Sequence, residues 1–158
     1  MGIFLSAIII GLRLTFYSPF FVEGESMAPT LKSGEFFVLD KWEYRNEVPR
    51  RGEIVIFTLA EEPNYFYVKR IVGIPGDKIK LTQQGVFVQS KGERAYTKLA
   101  ENYLPVQPIY YGFDRHFDVP EGKYFVLGDN RQHSKDSRYY VDPYVPQNRI
   151  LGRFFFGF

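Results

Sequence analysis

Glu53-Ile54-Val55-Ile56-Phe57-Thr58, Glu61-Glu62-Pro63-Asn64 and Tyr65-Phe66-Tyr67-Val68-Lys69-Arg70-Ile71-Val72-Gly73 follow one another almost without a break. The first is a nearly continuous apolar run and reads as a buried strand. The second is a polar turn. The third is another strand, stopped by Gly73-Ile74-Pro75-Gly76-Asp77, a tight turn with two glycines and a proline. Strands this close in sequence pair antiparallel. One residue is out of place: Lys69 is a cation inside an apolar strand. Alternation puts Lys69 and Ile71 on one face and Val68 and Arg70 on the other. If Lys69 points inwards, Arg70 points away and needs its own partner.

The same pattern continues in both directions. Upstream, residues 46–52 form a loop with Pro49 and the basic pair Arg50-Arg51, and Lys32-Ser33-Gly34 makes a turn before a long strand from Glu35 to Tyr44. Phe20-Phe21-Val22 reads as a strand running into Ser26. Downstream, Asp77 to Leu81 alternates as a strand, and Gln83-Gln84-Gly85 turns into Val86-Phe87-Val88 as a hairpin. Residues 89–120 are the least regular part and are expected to form a small cap or excursion. Lys123 to Leu127 is a clear strand. It delivers the polar loop Gly128-Asp129-Asn130-Arg131-Gln132-His133-Ser134-Lys135-Asp136-Ser137-Arg138. Ile150 to Phe156 is a final strand. There is no long amphipathic helix and no internal repeat. The fold class is therefore mainly β, with antiparallel sheets in a β-rich domain over 19–158.

Composition agrees. A chain of 158 residues suits one domain, and 16 Phe with 12 Tyr favour strands. A net charge of +2 makes no electrostatic case for nucleic acid. The absence of cysteine excludes disulfides and thiolate metal sites. With only His116 and His133, no histidine-based metal site is expected, and no cofactor is implied.

Gly2 to Leu12 is apolar on every face, is interrupted by Arg13, and resumes through Leu14, Phe16 and Tyr17 to Pro19. A helix from Gly2 to about Ser18 would be roughly 25 Å long, close to the hydrocarbon thickness if Arg13 snorkels. A membrane anchor over 1–18 is the expectation. A cleaved signal peptide lacks a basic lead and a clear small-x-small site, and a buried core element is the third reading. Arg13 and Lys32 follow the run with no Lys or Arg before it, so charge bias alone would put the domain in the cytoplasm. A few upstream basic residues would reverse that.

Ser26 lies in Glu23-Gly24-Glu25-Ser26-Met27-Ala28-Pro29-Thr30-Leu31. A serine is a weak nucleophile without a base beside it and donors for the oxyanion. Lysine can be that base, although unperturbed it is neutral in only about one molecule in a few thousand at pH 7. Burial among apolar side chains brings it into a useful range. Alone, Lys69 reads equally as a surface lysine on an edge strand, and Ser26 as a turn or cap serine. What joins them is position. Ser26, Lys69 and the 128–138 loop each sit beside or at the end of an apolar strand, where they can converge on one sheet edge.

Ser26-Met27-Ala28-Pro29-Thr30-Leu31 resembles the Ser-Met-x-Pro-Thr-Leu box of type I signal peptidases. Lys69-Arg70-Ile71-Val72-Gly73-Ile74-Pro75-Gly76-Asp77 resembles their Lys-Arg-x-x-Gly-x-Pro-Gly-Asp box. Gly128-Asp129-Asn130-Arg131 with Ser134, Asp136, Ser137 and Arg138 is similar to their third box. The resemblance implies a serine endopeptidase of that family's β fold. It would be anchored in the cell membrane with its catalytic domain on the extracytoplasmic side, and would remove signal peptides from exported preproteins after Ala-x-Ala-type sites. It implies Ser26 as nucleophile, Lys69 as general base and then acid, and Ser134 as the hydroxyl orienting the amine. It pairs Arg70 with Asp129 and Asp136 with Arg138 as supports. It makes Val22, Met27, Leu31, Tyr67 and Val68 the lining of the first substrate pocket, and Phe20 and Val22 that of the third. Phe20, Phe21 and Trp42 are offered as residues dipping into the bilayer.

The family often has a hydroxyl donor two residues before the nucleophile, where this chain has Gly24. Gly-Glu-Ser is the form of the Gram-positive branch. The oxyanion would then rest on the Ser26 backbone N–H, with that of Gly24 as a second candidate. The competing readings are a self-cleaving Ser–Lys repressor relative and a membrane-tethered binder of export or conjugation substrates without activity.

Overall fold

The computed structural model of the chain describes residues 17–41, 44, 47–105 and 114–157. Among them, the regular structure is two antiparallel sheets and a 3-10 turn at Gln147–Arg149. The strands are β1 (Tyr17–Phe21), β2 (Phe36–Asp40), β3 (Ile54–Phe57), β4 (Tyr67–Gly73), β5 (Lys78–Thr82), β6 (Gly85–Gln89), β7 (Thr97–Lys98), β8 (Arg115–Asp118), β9 (Lys123–Leu127), β10 (Val145–Pro146) and β11 (Ile150–Gly157). The larger sheet runs β1-β2-β11-β3-β4-β9-β10, and the smaller β7-β6-β5-β8.

The apolar pair that opened the sequence forms the centre of the larger sheet. β3 and β4 pair antiparallel, with Val55 opposite Lys69 and Ile54 opposite Arg70. β3 is buried along its whole length and β4 from Lys69 onward, because β4 is covered on both faces. Ile71 packs with Val55, Phe57, Tyr124 and Val126, whereas Val68 packs against Met27 and Ile56. Farther along, Val72 joins Phe125 and Leu127 of β9 and Ile79, Leu81 and Val86 of the smaller sheet in the core between the sheets.

β11 lies between β2 and β3. It crosses β2 closely at Gly152, where a Cβ would overlap the Asp40 carbonyl. Its pairing slips between Ile150 and Gly152 and again between Phe154 and Phe156, bends that let one strand serve two neighbours.

Several boundaries differ from the sequence reading. β1 begins at Tyr17 and pairs with β2 from Tyr17–Asp40 to Phe21–Phe36, so Tyr17 and Ser18 are sheet residues and not the end of a helix. The rest of the expected anchor lies outside the described residues. No helix among the described residues is long and apolar enough to cross a membrane. β2 is shorter than the strand expected from Glu35 to Tyr44, and Trp42 lies outside the described residues. β4 starts two residues later than expected because Tyr65 and Phe66 are exposed. The 89–120 segment supplies β7 and β8 to the smaller sheet. Its short two-residue strand and isolated HFD core left too little periodicity to read.

Candidate active site

The nucleophile segment leaves β1 still paired to the β2 side, with Val22 N–H donating to Glu35 O and Gly34 N–H to Val22 O. It then folds into tight turns, with Ala28 N–H on Glu25 O and Leu31 N–H on Met27 O. Met27 and Leu31 are buried beneath these turns. Their burial holds the turn down and leaves Ser26 partly exposed above it. The Gly24 N–H, the second oxyanion candidate, donates to Ser33 Oγ at 3.2 Å and so does not face the serine's reaction partner in this conformation.

Lys69 reaches this turn from β4. Its Nζ donates to Ser26 Oγ at 2.7 Å and to the Val68 carbonyl at 2.7 Å. The residue is 3% exposed. Burial drives the amine from its ordinary 10.5 down to about 8, against the opposing pull of Asp136 and Asp129. About one molecule in ten then carries the free amine at pH 7, where an exposed lysine has almost none. Ser134 Oγ is buried against Gly128 and has no hydrogen-bond partner among the described residues. The expected Ser134–Lys69 bond is therefore not made, and the Val68 carbonyl takes its place as second acceptor.

The 128–138 loop holds serine and lysine together. Asn130 N–H donates to the Ser26 carbonyl and its Nδ2 to the Glu25 carbonyl, both at 3.0 Å. Asp129 takes Arg70 in a two-pronged pair, Nε to Oδ1 at 2.9 Å and Nη2 to Oδ2 at 2.6 Å. Arg70 Nη1 donates to the Gly52 carbonyl. Thr30 Oγ1 donates to the same Asp129 Oδ2 at 2.6 Å. One carboxylate thus ties the turn carrying Ser26 to the residue next to Lys69. Asp136 accepts from Arg138 Nε and Nη2 at 2.8 and 2.9 Å and from Gly128 N–H at 3.0 Å. Gly128 has no room for a side chain, since a Cβ would overlap Ser134 and the Ser26 carbonyl.

A cleft of about 740 Å³ opens over the pair. Phe20, Val22, Met27, Tyr67 and Val68 line it, as the sequence suggests, together with Tyr65 and Phe66. Leu31 does not line it and packs in the core with Met27. Phe20 stacks on Phe37 and meets Phe66 edge-on, whereas Phe21 is 74% exposed. Of the two, Phe21 is therefore the one open to surroundings. No group of three or more metal-ligating side chains gathers among the described residues. Sequence reasoning missed Thr30, Asn130, Arg131, Glu101 and Tyr103. Thr30, Asn130 and Arg131 stand inside the quoted motifs and carried a signal. Glu101 and Tyr103 come from the irregular 89–120 segment and carried none.

Fold and site together define a mainly β protein with a serine hydroxyl against a partly neutral, buried lysine amine in a cleft lined by both apolar and polar side chains. The family model described as signal peptidase, peptidase S26 matches residues 1–158. The chain is 39% identical over 155 residues to the probable signal peptidase I-2 of Synechocystis sp., a match covering 94% of this chain and 66% of that protein. It is 39% identical over 137 residues to signal peptidase I U of Bacillus subtilis, covering 86% and 73%. A crystal structure of a signal peptidase I from Enterococcus faecalis superposes with a TM-score of 0.54 at 29% identity, covering 68% of this chain and 97% of that one. The chain belongs to the signal peptidase family, peptidase S26.

Proposed function

We propose that this chain is a signal peptidase I, a serine endopeptidase that removes signal peptides from preproteins through a Ser26–Lys69 dyad. The observation that carries this reading is the 2.7 Å contact between Lys69 Nζ and Ser26 Oγ, with the lysine buried. When the amine is neutral, the hydroxyl donates across that contact. Ser26 Oγ attacks the scissile carbonyl as its proton passes to Nζ. The C–N bond then breaks, and the Nζ proton leaves with the amine. The Lys69 amine then takes a proton from a water, which attacks the acyl carbonyl; the ester C–O bond breaks, the Nζ proton returns to Ser26 Oγ, and the carboxylic acid is released. The Ser26 backbone N–H is the first oxyanion donor, and such a donor contributes about 3–4 kcal/mol. Because the Gly24 N–H is engaged by Ser33, it serves only if it turns away from that hydroxyl.

An extended substrate segment lies in the cleft, against the apolar lining residues Phe20, Val22, Tyr67 and Val68. Bulky walls admit alanine-like side chains and reject larger ones. The apolar N-terminal stretch ahead of β1 anchors the chain in the membrane with the catalytic domain on the outer side.

The test uses the full chain in detergent and a preprotein carrying an Ala-x-Ala site, beside Ser26→Ala and Lys69→Met. Wild type is expected to cut after the second alanine, and both variants to be inactive. Cutting that persists in Ser26→Ala overturns the mechanism. A wild type that binds the preprotein without cutting it favours the inactive binder.

A further inference from the structure

Residues 101–104 form one turn of the irregular segment, closed by Leu104 N–H on Glu101 O. This turn reaches both halves of the site without touching Ser26 or Lys69. Glu101 is 3% exposed and pairs with Arg131, itself 5% exposed. Tyr103 OH donates to Glu101 at 2.9 Å, and Arg131 Nη2 lies 3.3 Å from the same hydroxyl. The face of the Tyr103 ring covers the Arg70 guanidinium at 3.9 Å. Burial pushes the Tyr103 phenol upward, and the Glu101 charge adds to that, so the hydroxyl stays a donor.

Each partner stands next to a residue that handles the dyad. Arg70 follows Lys69, and Arg131 follows Asn130, which holds the Ser26 and Glu25 carbonyls. Arg131 Nε also donates to the Gly128 carbonyl at 2.9 Å, while the Arg131 carbonyl accepts from Arg138 Nη2 at 2.7 Å. Gly128 is thus gripped at its carbonyl by Arg131 and at its N–H by Asp136. It packs directly against the Ser26 carbonyl. A buried guanidinium keeps such a grip only while its charge is answered, and Glu101 answers it.

We propose that Glu101 and Tyr103 are positioning residues for the reaction. Acting through Arg131 and Arg70, they hold the 128–134 loop and the middle of β4 so that Ser26 and Lys69 stay in register. The inference rests on the Ser26–Lys69 reading above.

Four variants of the full chain test it: Glu101→Gln, Tyr103→Phe, Tyr103→Ala and the double variant Glu101→Gln/Arg131→Met. Glu101→Gln and Tyr103→Ala are expected to lower kcat about tenfold with KM within about twofold, because misplacing reacting groups costs rate and not binding. Tyr103→Phe keeps its ring on Arg70 and should lose less. The double variant removes the guanidinium that Glu101→Gln leaves facing a neutral amide and so recovers melting temperature, but it cannot grip Gly128, so its kcat stays low. Recovery of kcat along with melting temperature overturns the proposal and makes the pair a stability element only. So does a Glu101→Gln enzyme with wild-type kcat.

Hydrogen exchange provides a reading independent of turnover. The Gly128 and Asn130 amides should exchange about tenfold faster in Glu101→Gln while β3 and β6 amides are unchanged. Unchanged exchange at Gly128 and Asn130 refutes the proposal even if wild type proves not to be a peptidase. A wild type that fails to cleave while the exchange difference appears refutes the functional reading and leaves the loop-holding role standing.

Discussion

Lys69 carries a charge that its position opposes. Its amine sits at about 8 in the fold against 10.5 free, so below pH 8 the folded protein holds a buried cation that the unfolded chain holds in water. That difference costs about 3 kcal/mol at pH 7. The cost is fully present below pH 8 and disappears as pH rises towards 10.5, because only the unfolded chain still binds the proton in that window. Lys69→Met is therefore expected to be inactive yet more stable than wild type at pH 7, with the gap closing by pH 10.5 in denaturant melts. In wild type, kcat/KM should climb with pH up to about 8 and then level. A rate that is flat from pH 5 to 8 contradicts the lysine base. At this scale the sequence was informative, since Ser26, Lys69 and the Arg70–Asp129 and Asp136–Arg138 pairs stand in three quoted motifs. Ser134 was legible as a neighbour but not as an unbonded one, because a hydroxyl's direction depends on sub-ångström packing.

Elements show where the reading stopped. β3, β4 and β9 were legible because runs of four to seven mostly apolar residues bounded by turns leave few alternatives. The smaller sheet's outer strands were not, since β7 has two residues and only one of the four residues of β8 is buried. Order along the sheet was also invisible, as β11 inserts far from its sequence neighbours. Its passage depends on Gly152, and Gly152→Ala pushes a methyl group into the Asp40 carbonyl. That variant should lose about 1–3 kcal/mol of stability, read by thermal melting. The protein that remains folded should cleave at the wild-type rate, because Gly152 contributes nothing to the cleft.

For the whole molecule, the aromatic residues at the β1 edge matter most. Tyr17 meets the half-exposed Phe155, and exposed Phe21 meets Phe36 edge-on. This edge is where the chain emerges from the apolar N-terminal run. On the proposed reading it rests against lipid. Phe155→Ser, which lies away from the cleft, should lower cleavage of a vesicle-inserted preprotein about tenfold, the worth of one buried aromatic side chain. Hydrolysis of a short soluble peptide should be unaffected. Equal losses on both substrates would remove the membrane role of this edge.

The insertion of β11 has a consequence in time. The strands of the β1–β2 hairpin and those of the β3–β4 hairpin are not neighbours in the sheet; the last strand in the sequence is what stands between them. On a ribosome, both halves of the dyad emerge while that joint is still missing. On the proposed reading, a nascent chain therefore holds Ser26 and Lys69 before the sheet that brings them together is complete.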